Sequence, residues 1–402
     1  MRRLSILPFL LFVCAAATLS AAAPPPDAMP LPAGTSLLAR DAEARWVPFT
    51  LTPGDQMRFD LSLDGRPVSA ILDTGVSYSV LARRYATEQH LAVRAVGSAT
   101  AIGGVVAIGW VDTRAVALGG LVRSGGGVAV ADLPAIATGG TAPVDMLVGR
   151  DLVGTAALDI DYAGRRFRLI PTGRMPFAGF VAPLAISPER QVYVTRVTLA
   201  GHVLSPMIVD TGDGSAITVS QPAWREAVPA SIRTTTAIAY GLAGPITIEL
   251  AIVPEVRVGD LVAREVEVRA EARGGFSEAI GVAGRIGSGF LQHCRVLMDP
   301  VAGRMVLSPG PDADMPPQRS TSGLLMTLEP GRLKVIHVMR GGPAEAAGWH
   351  AGDLICSVDG QPIDAEYVAR GMGAWSAGTP GRTVRLGQCD GPVRLLTLAR
   401  FY

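Results

Sequence analysis

The sequence has little of what metal, thiol or nucleic-acid chemistry requires. Of four cysteines in 402 residues, Cys14 sits in an N-terminal apolar run, which leaves only Cys294, Cys356 and Cys389 beyond it. That is too few for a fold held by disulfides, and an odd number leaves at least one thiol unpaired. Cys356 and Cys389, both in candidate strands near the C-terminus, are the candidate pair. The five histidines (His90, His202, His293, His337 and His350) show no metal-ligand spacing, so no metal and no other cofactor is expected. A net charge of +1 gives no basic surface for nucleic acid. No Gly-x-Ser-x-Gly elbow is present, so a serine hydrolase lacks its nucleophile. The glycines from Gly281 to Gly289 come without the lysine of a phosphate loop. Outside the N-terminus no apolar run is long enough to cross a bilayer.

What is abundant is glycine (47), proline (30) and apolar residues (49%), with aromatics at only 5%. That balance describes a globular chain rich in strands and turns, long enough for two or three domains. Arg2 and Arg3 precede the apolar run Leu4 to Leu19, and Ser20 to Ala23 supply small residues before Pro24-Pro25-Pro26. This is the pattern of a cleavable signal peptide over residues 1–23, so an exported, periplasmic or secreted protein with no membrane span after cleavage is expected. Residues 24–45 are Pro- and Ala-rich and read as a linker.

From Met57 onward the pattern is β. Phe59, Leu61 and Leu63 alternate with polar residues, Asp64-Gly65 supplies a hairpin turn, and an apolar strand then runs into Asp73-Thr74-Gly75. Ser77 to Tyr85 reads as a short helical turn. The plan then recurs. Val192, Val194, Val197 and Leu199 lead to the turn Ala200-Gly201-His202, and an apolar strand ends on Asp210-Thr211-Gly212. Asp73 and Asp210 are 137 residues apart, Gly149 and Gly287 138, and Asp161 and Asp299 138. Three landmarks in one register indicate a duplication, with a first lobe over 46–175 and a second over 176–309. A carboxylate at the end of an apolar strand is costly unless it is paired or neutralised. Two such sites suggest two carboxyls that meet and share one proton.

Both halves resemble the retropepsin-like aspartyl proteases of bacterial envelopes. Each has Asp-Thr-Gly after an apolar strand and a counterpart of the family's apolar-apolar-Gly motif, here Leu147-Val148-Gly149 and Arg285-Ile286-Gly287. After a second linker at 310–320, residues 321–402 resemble a PDZ domain. Ser322-Gly323-Leu324-Leu325-Met326 corresponds to its carboxylate-binding loop, and Ala351-Gly352-Asp353-Leu354-Ile355 with Val358-Asp359-Gly360 is the most specific portion. The fold class implied is mainly β, with two acid-protease β-barrel lobes in one chain followed by a PDZ domain. The lobes would pair within one chain, giving a monomer.

The resemblance implies an aspartic-type endopeptidase in which Asp73 and Asp210 activate one water against a polypeptide substrate. Thr74 and Thr211 would bond the opposite loop, Gly75 and Gly212 would let the backbone pass beneath the carboxylates, and Ser77 would support the first loop. The flap candidates are Ile102, Gly103 and Gly104 in the first lobe and Tyr240 and Gly241 in the second. Gly323, Leu324, Leu325 and Met326 would take a C-terminal peptide as an added strand. Three positions depart from the pattern: Gly214 stands where Ser77 does, Arg285 replaces an apolar residue, and Asp213 adds a third carboxylate expected to repel the other two. A rival from another class is a catalytically silent, protease-shaped peptide binder.

Overall fold

The computed structural model describes residues 34–138, 142–364, 366–367 and 371–402, so the expected signal peptide and the start of the linker lie outside the described residues. In the first half, Met57–Leu63 buries Met57, Phe59, Leu61 and Leu63 on one face, as the period-two alternation requires. Asp64 and Gly65, both at positive φ, turn the chain into Arg66–Leu72. The second half repeats this device. Tyr193–Leu199 has the same burial alternation, and Ala200 and Gly201, again at positive φ, lead into His202–Asp210.

The strand order is shared as well. Across the first sheet it runs Met57–Leu63, Arg66–Leu72, Met146–Val148, Val80–Ala82, Gly127–Ala131, Gly104–Asp112 and Arg94–Ala101. Across the second it runs Tyr193–Leu199, His202–Asp210, Gly284–Gly287, Ile217–Val219, Leu261–Ala270, Gly244–Val258 and Thr235–Gly241. In each, the apolar-Gly segment inserts parallel to the strand that carries the aspartate, with Val148 opposite Leu72 and Gly287 opposite Asp210. The helical turn expected over Ser77 to Tyr85 starts later: Val80–Ala82 is a strand and the helix is Arg83–Glu88. The buried run Val80-Leu81-Ala82 is held between two neighbours by ladder bonds, which outweigh its local helix preference.

Thr35–Leu38, inside the expected linker, is an edge strand paired with Leu121–Ser124, and Ala42 is buried behind it against Gly120. Leu37 stays 72% exposed, so backbone pairing, which leaves no apolar period, is what recruits the segment.

A six-stranded sheet joins the halves, with Ala157–Asp161 of the first paired antiparallel to Cys294–Asp299 of the second at its centre. Fully buried Asp159 accepts Arg168 Nε at 2.9 Å and Arg295 Nε and Nη2 at 3.1 and 2.9 Å, one guanidinium from each half. Asp159→Asn strands those cations, and the unfolding free energy is expected to fall by about 3 kcal/mol in urea denaturation at unchanged m-value.

The C-terminal unit is a six-stranded sheet around Trp349, Tyr367 and Trp375, stapled by a Cys356–Cys389 disulfide, with Cys294 buried and free elsewhere. Among the described residues Leu324–Glu329 is an edge strand of this sheet. The unit docks on the hairpin Thr235–Gly241/Gly244–Val258 of the second half. Arg340 forks onto both oxygens of Glu249 at 2.9 and 2.8 Å, Thr236 Oγ1 meets His337 Nε2 at 2.8 Å, and Met339 is buried against Ala237, Ile248 and Leu250. Among the described residues no helix is long and apolar enough to cross a membrane.

Candidate active site

The two Asp-Thr-Gly loops meet at the boundary between the halves. Thr74 Oγ1 donates to the Val209 carbonyl at 2.7 Å and Thr211 Oγ1 to the Leu72 carbonyl at 2.8 Å. In return, the Thr74 amide donates to Thr211 Oγ1 and the Thr211 amide to Thr74 Oγ1, each at 3.1 Å. Both threonines are fully buried, so four reciprocal bonds lock one loop to the other.

Each glycine lies against the opposite carboxylate. A Cβ on Gly75 would overlap the Asp210 carboxyl, and one on Gly212 would overlap that of Asp73. Only a residue without a side chain lets the backbones cross here. The two carboxyls come within hydrogen-bonding reach of each other. Burial first, then the charge of its partner Asp210, pushes Asp73 well above the ordinary carboxylate range. Burial and the charge of Asp213 push Asp210 up to about 6, against a pull downward from Arg285.

Asp213 does repel the dyad, as expected, but it is not a loose charge. Arg285 Nε donates to its Oδ2 at 3.0 Å, and Arg285 Nη1 donates to Glu271 Oε1 at 2.7 Å and Ser277 Oγ at 3.0 Å. Burial raises the Asp213 carboxyl, yet the Arg285 charge and the Ser215 hydrogen bonds outweigh it and hold Asp213 below the usual range. The arginine in the second apolar-Gly motif is therefore the partner of the unexpected aspartate.

Gly214 also has a steric cause. The Gly54 carbonyl occupies the space that a Cβ at 214 would need, while Gln56 Nε2 on the same turn donates to the Gly212 carbonyl at 2.5 Å. Ser77 does not support the first loop. Its hydroxyl donates at 2.5 Å to the Arg190 carbonyl in the other half, a neighbour that sequence separation conceals. Ser79 takes that role: its hydroxyl donates to Asp151 Oδ1 at 2.7 Å and accepts the Gly149 amide at 3.0 Å, with Arg123 closing the group on Asp151 Oδ2 at 2.8 Å. Under the second loop, Ser288 Oγ donates to the Thr211 carbonyl at 2.7 Å. Gly149 and Gly287 pass so close beneath their loops that a Cβ on either would press on loop backbone.

Above the carboxyls two hairpins meet tip to tip. Ile102 and Gly103 form one turn and Leu242 and Ala243 the other, with the Ala243 amide donating to the Ile102 carbonyl at 3.2 Å. Gly104 and Gly241 close their hairpins as the end pairs, and Tyr240 lines the space beneath. The cleft beneath the hairpins is open to solvent and lined by Asp73 and Asp210, with a volume of about 780 Å³ that suits a chain segment of a few residues. In the C-terminal unit, Gly323 takes positive φ and Leu324, Leu325 and Met326 begin the edge strand.

The comparisons with known proteins bear on both regions. A family model described as aspartyl protease matches residues 59–152, which contain Asp73-Thr74-Gly75 and Leu147-Val148-Gly149. A model described as PDZ domain matches residues 314–366. No curated protein matches the chain at a significant level. The chain thus carries an aspartyl protease domain in its first half and a PDZ domain at its C-terminal end.

Proposed function

We propose that the protein is an exported aspartic endopeptidase whose second half is a second protease lobe, so that one chain supplies both carboxyls. The observation that carries this reading is the interlocked pair of loops, with each glycine packed on the opposite carboxyl at the floor of a roofed cleft. One carboxyl stays protonated and the other ionised, since like charges at this distance do not coexist cheaply. The ionised one takes a proton from water as the water attacks the peptide carbonyl; the protonated one donates to the carbonyl oxygen. Collapse of the tetrahedral adduct then sends a proton to the leaving amine. Export is supported by the leader pattern of residues 1–23 and by the Cys356–Cys389 disulfide, which suits an oxidising compartment.

The PDZ unit leaves the edge of Leu324–Glu329 for a peptide strand while gripping the base of the second hairpin. This supports a unit that takes a peptide and steadies one flap. Among the described residues no ion pair from the C-terminal unit reaches the first flap, and its outer strand Arg94–Ala101 is exposed almost throughout. It is the one expected to lift for substrate. Arg340→Ala should therefore speed amide exchange over residues 235–250 and leave residues 94–112 unchanged.

The test of the function is incubation of mature protein with an unfolded polypeptide, read by mass spectrometry for new termini. The enzyme gives internal cleavages that Asp73→Asn lacks. A silent binder gives none with either protein, although it retains the polypeptide.

A further inference from the structure

We propose that Arg285 decides which carboxyl keeps the shared proton, making Asp73 the acid and Asp210 the base. The inference rests on the reading of Asp73 and Asp210 as the catalytic pair. Its basis is an asymmetry that the duplication does not predict. The residues in register with Asp213 and Arg285 in the first half are Val76 and Leu147, so the first side of the dyad is apolar where the second side is ionic.

The hydrogen bonds are unequal in the same direction. Asp73 accepts one backbone amide, that of Gly75 at 3.1 Å. Asp210 accepts two on a single oxygen, Gly212 at 3.0 Å and Asp213 at 3.2 Å, and its other oxygen lies 3.8 Å from Arg285 Nε. Donors aimed at a carboxylate favour its charged form, and a cation at that distance in a site shielded from water does so strongly. Arg285 is only 3% exposed and is held in place by Glu271 and Ser277, so it cannot swing away to solvent.

The remaining charges around the pair do not reverse this order. Asp213 opposes ionisation of both carboxyls, and on Asp210 its charge outweighs the pull of Arg285, so Arg285 acts there together with the two amides that bond Asp210. Glu271 is spent on Arg285 and on the Ser277 amide. Arg269 faces Asp213 but is paired with Glu267 at 2.8 Å, and Asp55 faces Arg269 from the neighbouring turn. Arg190 stands at the cleft wall.

The assignment gives a balanced cycle. Asp210 takes a proton from water as the new C–O bond forms, and Asp73 gives its proton to the carbonyl oxygen. Asp210 then protonates the amine as the C–N bond breaks, and Asp73 recovers a proton from a hydroxyl of the adduct. Arg285 touches none of the reacting atoms and is a positioning residue.

The experiment is a carboxyl-carbon NMR titration of aspartate-labelled protein, with the signals assigned through Asp73→Asn and Asp210→Asn. Asp210 is expected to titrate below Asp73 in the wild type. The order should be kept in Arg285→Lys, which retains the cation. It should be lost in the triple variant Arg285→Leu, Asp213→Val, Glu271→Gln, which copies the first lobe at 213 and 285 and strands no buried charge. An unchanged order in the triple variant overturns the proposal, and so does a wild type in which Asp73 titrates first. Should the triple variant not fold, the wild-type order still decides. The titration needs no turnover, so a protein that cleaves nothing yet shows the expected order refutes the endopeptidase reading and leaves only the order of protonation set by Arg285 standing.

Discussion

Asp210→Asn is expected to lower kcat/KM for peptide cleavage by roughly 10³-fold or more, with Asp73→Asn close behind. Neither carboxyl can do the work alone. Asparagine at 210 cannot accept the proton of an attacking water, and asparagine at 73 cannot give one to the carbonyl oxygen. The substitutions are nearly isosteric, and the amides that hold the carboxyls, Gly75 for Asp73 and Gly212 and Asp213 for Asp210, can bond an asparagine oxygen equally well. The four threonine bonds between the loops involve neither aspartate side chain, so the fold survives. The two losses should not multiply in the double variant, because the pair acts as a unit.

Asp73→Asn is also expected to make the protein more stable at neutral pH. The ordinary carboxylate value is 3.8; in the folded state burial and the Asp213 charge push Asp210 up to about 6, and burial and the Asp210 charge push Asp73 well above the ordinary range. Below the ordinary value both states are protonated and the folded pair costs little. As pH rises past it, the unfolded chain releases protons that the folded chain retains, so stability falls until the folded carboxyls ionise. At pH 7 and above the deficit is largest. Asp73→Asn removes a carboxyl that burial and the Asp210 charge hold protonated and so escapes that loss, on the order of 2 kcal/mol. Urea midpoints should therefore favour Asp73→Asn at neutral pH and converge with the wild type at about pH 4. An inactive variant that outlasts its parent is the mark of a site strained for function.

Much of this was legible in the residues. The paired turns Asp64-Gly65 and Ala200-Gly201, the two Asp-Thr-Gly loops and the constant spacing between matched landmarks anticipate two like sheets, because each depends on local backbone chemistry or on register. Gly103 and Gly241 were legible as hairpin-end positions for the same reason. What stayed hidden depends on chain segments far apart. Asp213 looks like a defect until Arg285 arrives from another strand to pair with it, held in place there by Glu271 and Ser277. Gly214 looks like a lost hydroxyl until the Gly54 carbonyl is seen to fill its space. Ser77 and Ser79 are both small and polar, and only the fold decides that Ser79 faces Asp151 while Ser77 reaches across to Arg190. The docking of the PDZ unit on the second flap through Arg340 leaves no local pattern at all.

The most direct test of a proton shared by Asp73 and Asp210 is the pH dependence of kcat/KM for the mature protein. A bell is expected, with both limbs set by the carboxyl pair and a maximum above about pH 6, because Asp210 is pushed up to about 6 and Asp73 is held well above the ordinary carboxylate range. A rate that stays flat from about pH 3 to about pH 8, or a maximum near about pH 2 as for two weakly perturbed carboxyls, would contradict the account.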